Sequence, residues 1–160
     1  MIRKVQLGDA AAIAAIYNYY ITNTIITFET TAVSIEEMRQ RILSISNEYP
    51  YFVYEQEGEV IGYCYAHRWK EKKAYQYTAE TTIYIKPAYR GKGIGKQLMQ
   101  YLIDACKKRE LHTLIACLTY PNDPSTHLHE SLNFQLVSHF HEVGKKFGHW
   151  LDICDYELHL

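Results

Sequence analysis

No stretch of this sequence is apolar over the roughly 18 residues that a membrane span requires, and no charged-then-apolar leader opens it. A cytoplasmic location is therefore expected, with no membrane partner. Charge of one sign is also lacking: 17 Lys and Arg against 18 Asp and Glu leave a formal net charge of −1. A nucleic-acid binder would show a clustered basic excess, so that class is set aside. The four cysteines, Cys64, Cys106, Cys117 and Cys154, form no C-x-x-C pair. Buried free thiols are the plain reading, Cys64 and Cys117 in strand-like runs and Cys106 on a helical apolar face. No metal site is expected. His127 and His129, two apart on a helix, point apart, and His139 and His141 share a strand face without a Cys pair nearby. Repeats, low-complexity tracts and linkers are absent, so the 160 residues read as one domain, 1–160. Tyrosine, in contrast, is abundant at 15 residues, offering apolar area with a hydroxyl at its tip.

Periodicity supplies the elements. Asp9 precedes Ile13, Ile16, Tyr17 and Tyr20 at three- and four-residue steps, which predicts a first helix capped by Asp9. Ser34 and Glu37 form the S-x-x-E capping pattern before Met38, Ile42 and Ile45, a second helix. Residues 51–55 and 60–67 are strand-like and joined across Glu57-Gly58; residues 78–86 form a third β run stopped by Pro87. Ile94, Leu98, Leu102 and Cys106 mark a helix, and 112–119 another strand. Asp123 then reads as the N-cap of a short helix with Pro124 at its first position. Residues 134–143 and 150–160 come last, as two strands around an exposed glycine-containing loop. The order is ααβββαβαββ, an α/β (α+β) fold with a mixed sheet and helices on its faces.

The turn Arg90-Gly91-Lys92-Gly93-Ile94-Gly95 lies between a β run and a helix. Helix N-termini leave amide hydrogens unpaired and carry partial positive charge, so they bind phosphate oxygens. Glycines let the backbone approach those oxygens. Arg90, Lys92 and Lys96 add the cations that a pyrophosphate requires. A Walker A loop needs G-x-x-x-x-G-K-[ST], and here Gln97 follows Lys96. A dinucleotide fold needs G-x-G-x-x-G early in a βαβ unit, against the G-x-G-x-G found here midway along the sequence. A tight strand-to-helix turn with glycines for geometry alone is the remaining bland reading.

The pattern R-G-x-G-[IV]-G after a strand ending in proline resembles the acyl-CoA turn of the GNAT N-acetyltransferase superfamily. Around it, Trp69-Lys70-x-Lys72-x-Ala74-Tyr75 and Thr78-x-Glu80-x-Thr82-Ile83-Tyr84-Ile85 resemble the phosphinothricin acetyltransferase branch. So do Pro121-Asn122-Asp123-Pro124-Ser125, Leu128-His129-Glu130-x-Leu132, Gly144-x-Lys146-Phe147-Gly148-x-Trp150-Leu151-Asp152, Asn18-x-Tyr20-Ile21 and Phe28-x-Thr30. The resemblance implies a central sheet of about seven strands flanked by about four helices. It implies acetyl-CoA in a cleft where two central strands splay. Ile83, Tyr84 and Ile85 would pair with the pantetheine arm, residues 90–96 would hold the pyrophosphate, and Asn122 and Ser131 would contact the cofactor. Homodimers acting on the amino group of a small amino acid or analogue are also implied: phosphinothricin, methionine sulfoximine or sulfone.

A protonated amine cannot attack a thioester, so a base is needed, and a carboxylate in a cleft can serve directly or through water. Glu80, central in a T-A-E-T-T-I-Y-I run, is the candidate; an exposed strand carboxylate is the alternative. His129 could relay a proton, orient the carboxylate, or pack in the helix against a backbone carbonyl. Tyr84 lies four residues beyond Glu80 on the same strand face and could donate to the thioester oxygen or line the pocket. For the substrate carboxylate Lys70, Lys72 and Lys146 are available, with Phe28 and Tyr75 as walls; a solvated charged loop is the alternative for 70–73. Lys72 stands where the family carries arginine, Tyr77 where tryptophan is usual, and Asn133 where glycine is. These are departures from the phosphinothricin enzymes, and the Lys-Phe-Gly-x-Trp ending resembles relatives that act on methionine sulfone or sulfoximine. A peptide N-acetyltransferase would need an open groove, whereas a short loop bearing Phe147 and Trp150 suggests a closed pocket. A non-catalytic acyl-CoA sensor would keep the turn with no reason to keep Glu80, His129 and Asn122.

Overall fold

The computed structural model describes all 160 residues. Seven strands form one sheet in the order β1-β2-β3-β4-β5-β7-β6, with β1 Ile2–Lys4, β2 Tyr51–Gln56, β3 Glu59–Arg68, β4 Thr78–Ile85, β5 Thr113–Tyr120, β6 Gln135–Lys146 and β7 His149–His159. The four α-helices are α1 Ala10–Asn23, α2 Ile35–Glu48, α3 Ile94–Lys108 and α4 Asp123–Glu130. Every neighbouring pair is antiparallel except β4 and β5, which run parallel. That exception follows from connectivity: α3 lies between them, and a helical crossover brings the backbone back in the same direction.

Alternation along the central strands sorts the core into two layers. Tyr51, Val53 and Tyr63 pack with Ile13, Ile16, Tyr20, Met38 and Ile42 under α1 and α2. Phe52, Cys64 and Ala66 face the other way, onto Leu98, Met99, Leu102 and Cys106 of α3. The four-residue spacing of Leu98, Leu102 and Cys106 predicts this burial, since a 3.6-residue period places them on one stripe.

The parallel pair is short. Thr78, Ala79 and Glu80 pair with Thr113, Leu114 and Ile115, after which the two strands part while β4 keeps its ladder with β3 as far as Ile85. One edge of β4 therefore has no partner strand beyond Glu80, and an opening forms in mid-sheet.

Several local expectations change. The three-residue β1 is too short to show a period, and it is set by pairing with 52–54. Asp9 stands at the start of α1 but does not cap it: its carboxylate accepts the Gln6 N–H at 2.8 Å and two Arg3 nitrogens at 2.9 Å. Ser34 caps α2 as expected, accepting from the Glu37 N–H at 3.0 Å. At α4 the cap position belongs to Asn122, with Asp123 first and Pro124 second in the helix. The final loop shrinks to Phe147-Gly148, both with positive φ (51° and 78°), because β6 and β7 pair as far as Lys146 and His149. Cys64, Cys106 and Cys154 are buried as expected, but Cys117 is exposed.

Candidate active site

The opening between β4 and β5 holds two adjoining cavities that share Ile26, Ile83, Tyr84, Asn122 and Ser125. The larger, about 440 Å³, runs along the free edge of β4 to the start of α3. Gly91 and Gly93 sit there at φ +74° and +77°, a left-handed conformation that only glycine adopts cheaply. With Gly93 as the residue before the helix, the first amides of α3 point into the groove, unpaired and carrying the helix's positive end. Ile83, Tyr84, Ile85, Arg90, Gly91, Gly93, Ile94, Gly95, Lys96, Asn122 and Ser131 all line this groove. Lys92 does not; its ammonium lies over the Tyr89 ring, 5.0 Å from the centroid. The cradle fits a pyrophosphate: backbone donors, no Cβ in the way, and the cations Arg90 and Lys96 at its rim.

Sequence reasoning missed Tyr20, whose hydroxyl donates to the Ile85 carbonyl and seals the groove floor. It also missed why Asn122 is available. Because the Asn122 carboxamide makes no capping bond, it is left to face both cavities.

The second cavity, about 260 Å³, is lined by Tyr17, Thr27, Phe28, Tyr65, Glu80, Tyr84, Cys117, Thr119 and His129, among others. Glu80 is the last residue of β4 paired to β5, so its carboxylate stands where the strands part. Burial raises its carboxyl above the usual range; His67, with Nε2 at 3.9 Å, works against that, and the Asp155 charge adds to it. Cys117, two residues beyond the Ile115 that pairs with Glu80, has its thiol pushed up to about 12, chiefly by desolvation and further by the Asp155 and Glu80 carboxylates.

His129 is both packed and facing the cavity. Only 2% exposed, it stands edge-on to Phe134 with centroids 5.1 Å apart. Its Nδ1 lies 2.7 Å from the Ser125 carbonyl oxygen, which can only accept, so Nδ1 carries the proton and Nε2 presents a lone pair. No buried nitrogen or oxygen beyond the backbone lacks a partner, and Nε2 has none in the protein, so Nε2 is the ring's accessible edge on the cavity. Burial also lowers the pKa of the imidazole, and the Ser125 carbonyl only partly offsets this. The ring is thus a neutral acceptor rather than an acid. Tyr84, packed among Tyr17, Tyr20 and Tyr63, is held protonated by burial, with the Thr27 hydroxyl as neighbour.

The far wall is the connection between α1 and α2, and it is pinned along its length. Asn18 brackets Val33 (2.8 and 2.9 Å), and Thr119 donates to the Ile26 carbonyl at 3.2 Å. Arg41 clamps Glu29 through two nitrogens at 2.7 and 2.9 Å, and Tyr17 bridges Glu29 to Thr27. Lys146, one of the cations available in sequence for a substrate carboxylate, is buried and donates to the Thr27 carbonyl at 2.7 Å, burial lowering its pKa.

The remaining expected substrate residues divide. Phe28 lines the cavity, whereas Lys70, Lys72 and Tyr75 sit outside it on the β3–β4 connection, the Lys70 ammonium resting 4.2 Å from the Trp69 ring centroid. No lysine or arginine lines the smaller cavity at all. Phe147 and Trp150 are more than half exposed and do not close it. The pinned wall takes that role.

Comparison with known proteins agrees with this geometry. The family described as the acetyltransferase (GNAT) domain matches residues 2–154. An L-methionine sulfoximine/L-methionine sulfone acetyltransferase of Salmonella typhimurium is 34% identical, over 99% of this protein and 94% of the relative. A GNAT superfamily phosphinothricin acetyltransferase from Sinorhizobium meliloti, solved in complex with AcCoA, superposes with a TM-score of 0.97 at 34% identity, covering 100% of this protein and 88% of that one. A ribosomal-protein-alanine N-acetyltransferase from Brucella melitensis gives 0.98 at 32% identity, covering 100% and 99%.

Proposed function

This protein belongs to the GNAT acetyltransferase family, and we propose that it moves the acetyl group of acetyl-CoA to the amino group of a small amino acid or analogue of the methionine sulfoximine or sulfone kind, by direct attack with Glu80 as general base. One observation carries this reading. Glu80 stands at the parting of β4 and β5, in a small cavity that opens through Tyr84 and Asn122 into the phosphate-cradling groove. A thioester reaching along the groove would present its carbonyl at that junction. Glu80 takes the ammonium proton, directly or through water; the freed nitrogen attacks the carbonyl carbon, the C–S bond breaks, and the second proton lost from nitrogen ends on the leaving sulfur. Tyr84, kept protonated, would donate to the developing oxyanion or to the leaving sulfur. His129, a neutral acceptor, would hold a water or the incoming amine; it is ill suited to protonating the thiolate.

Cys117 supports direct attack over a covalent relay. Desolvation, with the Asp155 and Glu80 carboxylates beside it, holds its thiol well above the usual range, which disfavours the thiolate that an acyl-carrying nucleophile needs. Iodoacetamide should therefore label the exposed Cys117 of the native protein at pH 7.5 more slowly than it labels Cys117 in an unfolded sample. Rapid native labelling read by mass spectrometry would reopen the relay.

A homodimer belongs to this reading. Val143, Phe147 and Trp150 expose more than half their surface along the β6–β7 ribbon, an apolar strip that a second copy would cover. An enzyme consuming acetyl-CoA belongs where that thioester is made, so a cytoplasmic location is part of the reading; no helix is long and apolar enough to cross a membrane.

Phe28 sets the pocket's shape through Gly144. A Cβ on residue 144 would lie 2.1 Å from the Phe28 ring, so Gly144→Ala must displace that ring. A roughly 10-fold or greater loss of kcat/KM for the amine is expected, since small misplacements of positioning groups are costly. KM for acetyl-CoA, bound in the other cavity, should hold. Equal changes in both would show that the ring does not shape the acceptor site.

Thiol release followed with a panel of amino acids, methionine sulfoximine and an N-terminal alanine peptide tests the whole reading. Turnover of small amines supports it. Preferred turnover of the peptide would favour the activity named for the Brucella relative, and tight CoA binding without turnover would favour a sensor.

A further inference from the structure

His139 and His141 have no part in the chemistry above. The structure supplies what their spacing alone lacks. Alternate residues on a strand point to one face, and the two rings stack with centroids 4.3 Å apart on β6. The neighbouring strand β7 brings Asp152 against both: its Oδ2 lies 2.8 Å from His139 Nε2 and 3.1 Å from His141 Nδ1. All three potential ligand atoms lie within 4.8 Å of one another.

We propose that His139, His141 and Asp152 form a binding site for a divalent transition-metal ion such as zinc, separate from the acetyl-transfer site. A tetrahedral ion with bonds of about 2.0–2.1 Å holds neighbouring ligand atoms roughly 3.3 Å apart, so each Asp152–histidine distance needs to open by only a few tenths of an ångström. Two imidazoles and one carboxylate select zinc, cobalt, nickel or copper over magnesium or calcium, which prefer an all-oxygen shell.

The carboxylate is oriented for the purpose. Its Oδ1 accepts the Glu142 N–H at 2.8 Å, where Glu142 sits at φ +51° in the irregular stretch of β6, and this fixes Oδ2 toward the two rings. Such outer contacts are what hold metal ligands in place. His139 is further positioned by the Tyr120 ring, centroids 4.7 Å apart. In the metal-free protein each ring donates an N–H to Asp152. On binding, each imidazole presents that nitrogen's lone pair and carries its proton on the other nitrogen. Three protein ligands leave a fourth position for water, and within one subunit the His141 imidazole is 75% exposed.

Calorimetric titration of the 160-residue protein, free of any added histidine tag, with zinc chloride is expected to show one saturable equivalent. His139→Ala and His141→Ala should each weaken it about 10-fold or more, and excess magnesium should not compete. Thiol-release turnover in these variants should match wild type, since neither residue lines the cleft, and this also reports that they fold. Cobalt added to the unaltered protein should give visible d–d absorption and broaden the His139 and His141 ring resonances. Absence of saturable binding overturns the proposal, as does zinc affinity unchanged in both variants or cobalt broadening confined to other histidines.

Discussion

Replacing Glu80 with glutamine is expected to lower acetylation at saturating amine by about 100-fold or more, the usual scale for losing a general base. Glutamine keeps the size and planarity of the carboxylate, so the cavity and the affinity for acetyl-CoA should not change. The raised carboxyl of Glu80 makes a second, independent reading possible. A carboxyl whose pKa is higher folded than unfolded is one whose ionised form the fold disfavours. Folding stability from this group is thus greatest at low pH and declines as pH rises through the unfolded and then the folded value. Above that window Glu80→Gln removes a desolvated charge, and its Tm should equal or exceed that of wild type. Activity runs the opposite way. The base must be ionised, so the wild-type rate falls as pH drops through the elevated Glu80 value, while the residual rate of the variant lacks that limb. A variant with near-normal turnover, or one that loses its rate together with a lower Tm, would remove Glu80 from the role of base.

The elements of this fold were legible where the signal is local. The four-residue spacing of Leu98, Leu102 and Cys106 shows as a helix, and Ser34 with Glu37 as a cap, because both involve near neighbours in sequence. The groove was legible for the same reason, since Gly91, Gly93 and the start of α3 are contiguous. What stayed hidden depends on partners brought together by folding. Asp9 looks like a helix cap until Arg3 and Gln6 claim its carboxylate. Lys146 looks like a free cation until the fold closes the 119-residue separation that brings it against the Thr27 carbonyl. Strand β1 has no pattern of its own, and Asp152 completes the histidine pair only across a strand register that residue spacing does not encode. The departure at Lys72 could be read, but not the placement of Lys70 and Lys72 outside the cavity.

On the donor side, Gly93→Val is expected to raise KM for acetyl-CoA by about 10- to 100-fold. The first cause is conformational. Gly93 holds φ at +77°, and an L-residue in that region is strained by roughly 1–2 kcal/mol, more when β-branched. Open space lies around the position, with nothing within 4 Å of a built Cβ, so the strain is one of backbone and not of packing. Relief comes from rotating residue 93 out of the left-handed region, which turns the first amides of α3 away from the groove. Those amides are charge-assisted donors to a pyrophosphate, each worth about 1.5–3 kcal/mol, so misaiming one accounts for the expected range. Gly95 offers the contrast. Its built Cβ meets Leu128 at 3.5 Å, an ordinary contact at a position with no positive φ. Gly95→Ala should therefore change KM far less than Gly93→Val does. Initial rates against acetyl-CoA at fixed saturating amine separate the two. If both substitutions cost the same, steric bulk in the groove sets the affinity for acetyl-CoA; if only Gly93→Val does, the left-handed turn aims the amides at the phosphates.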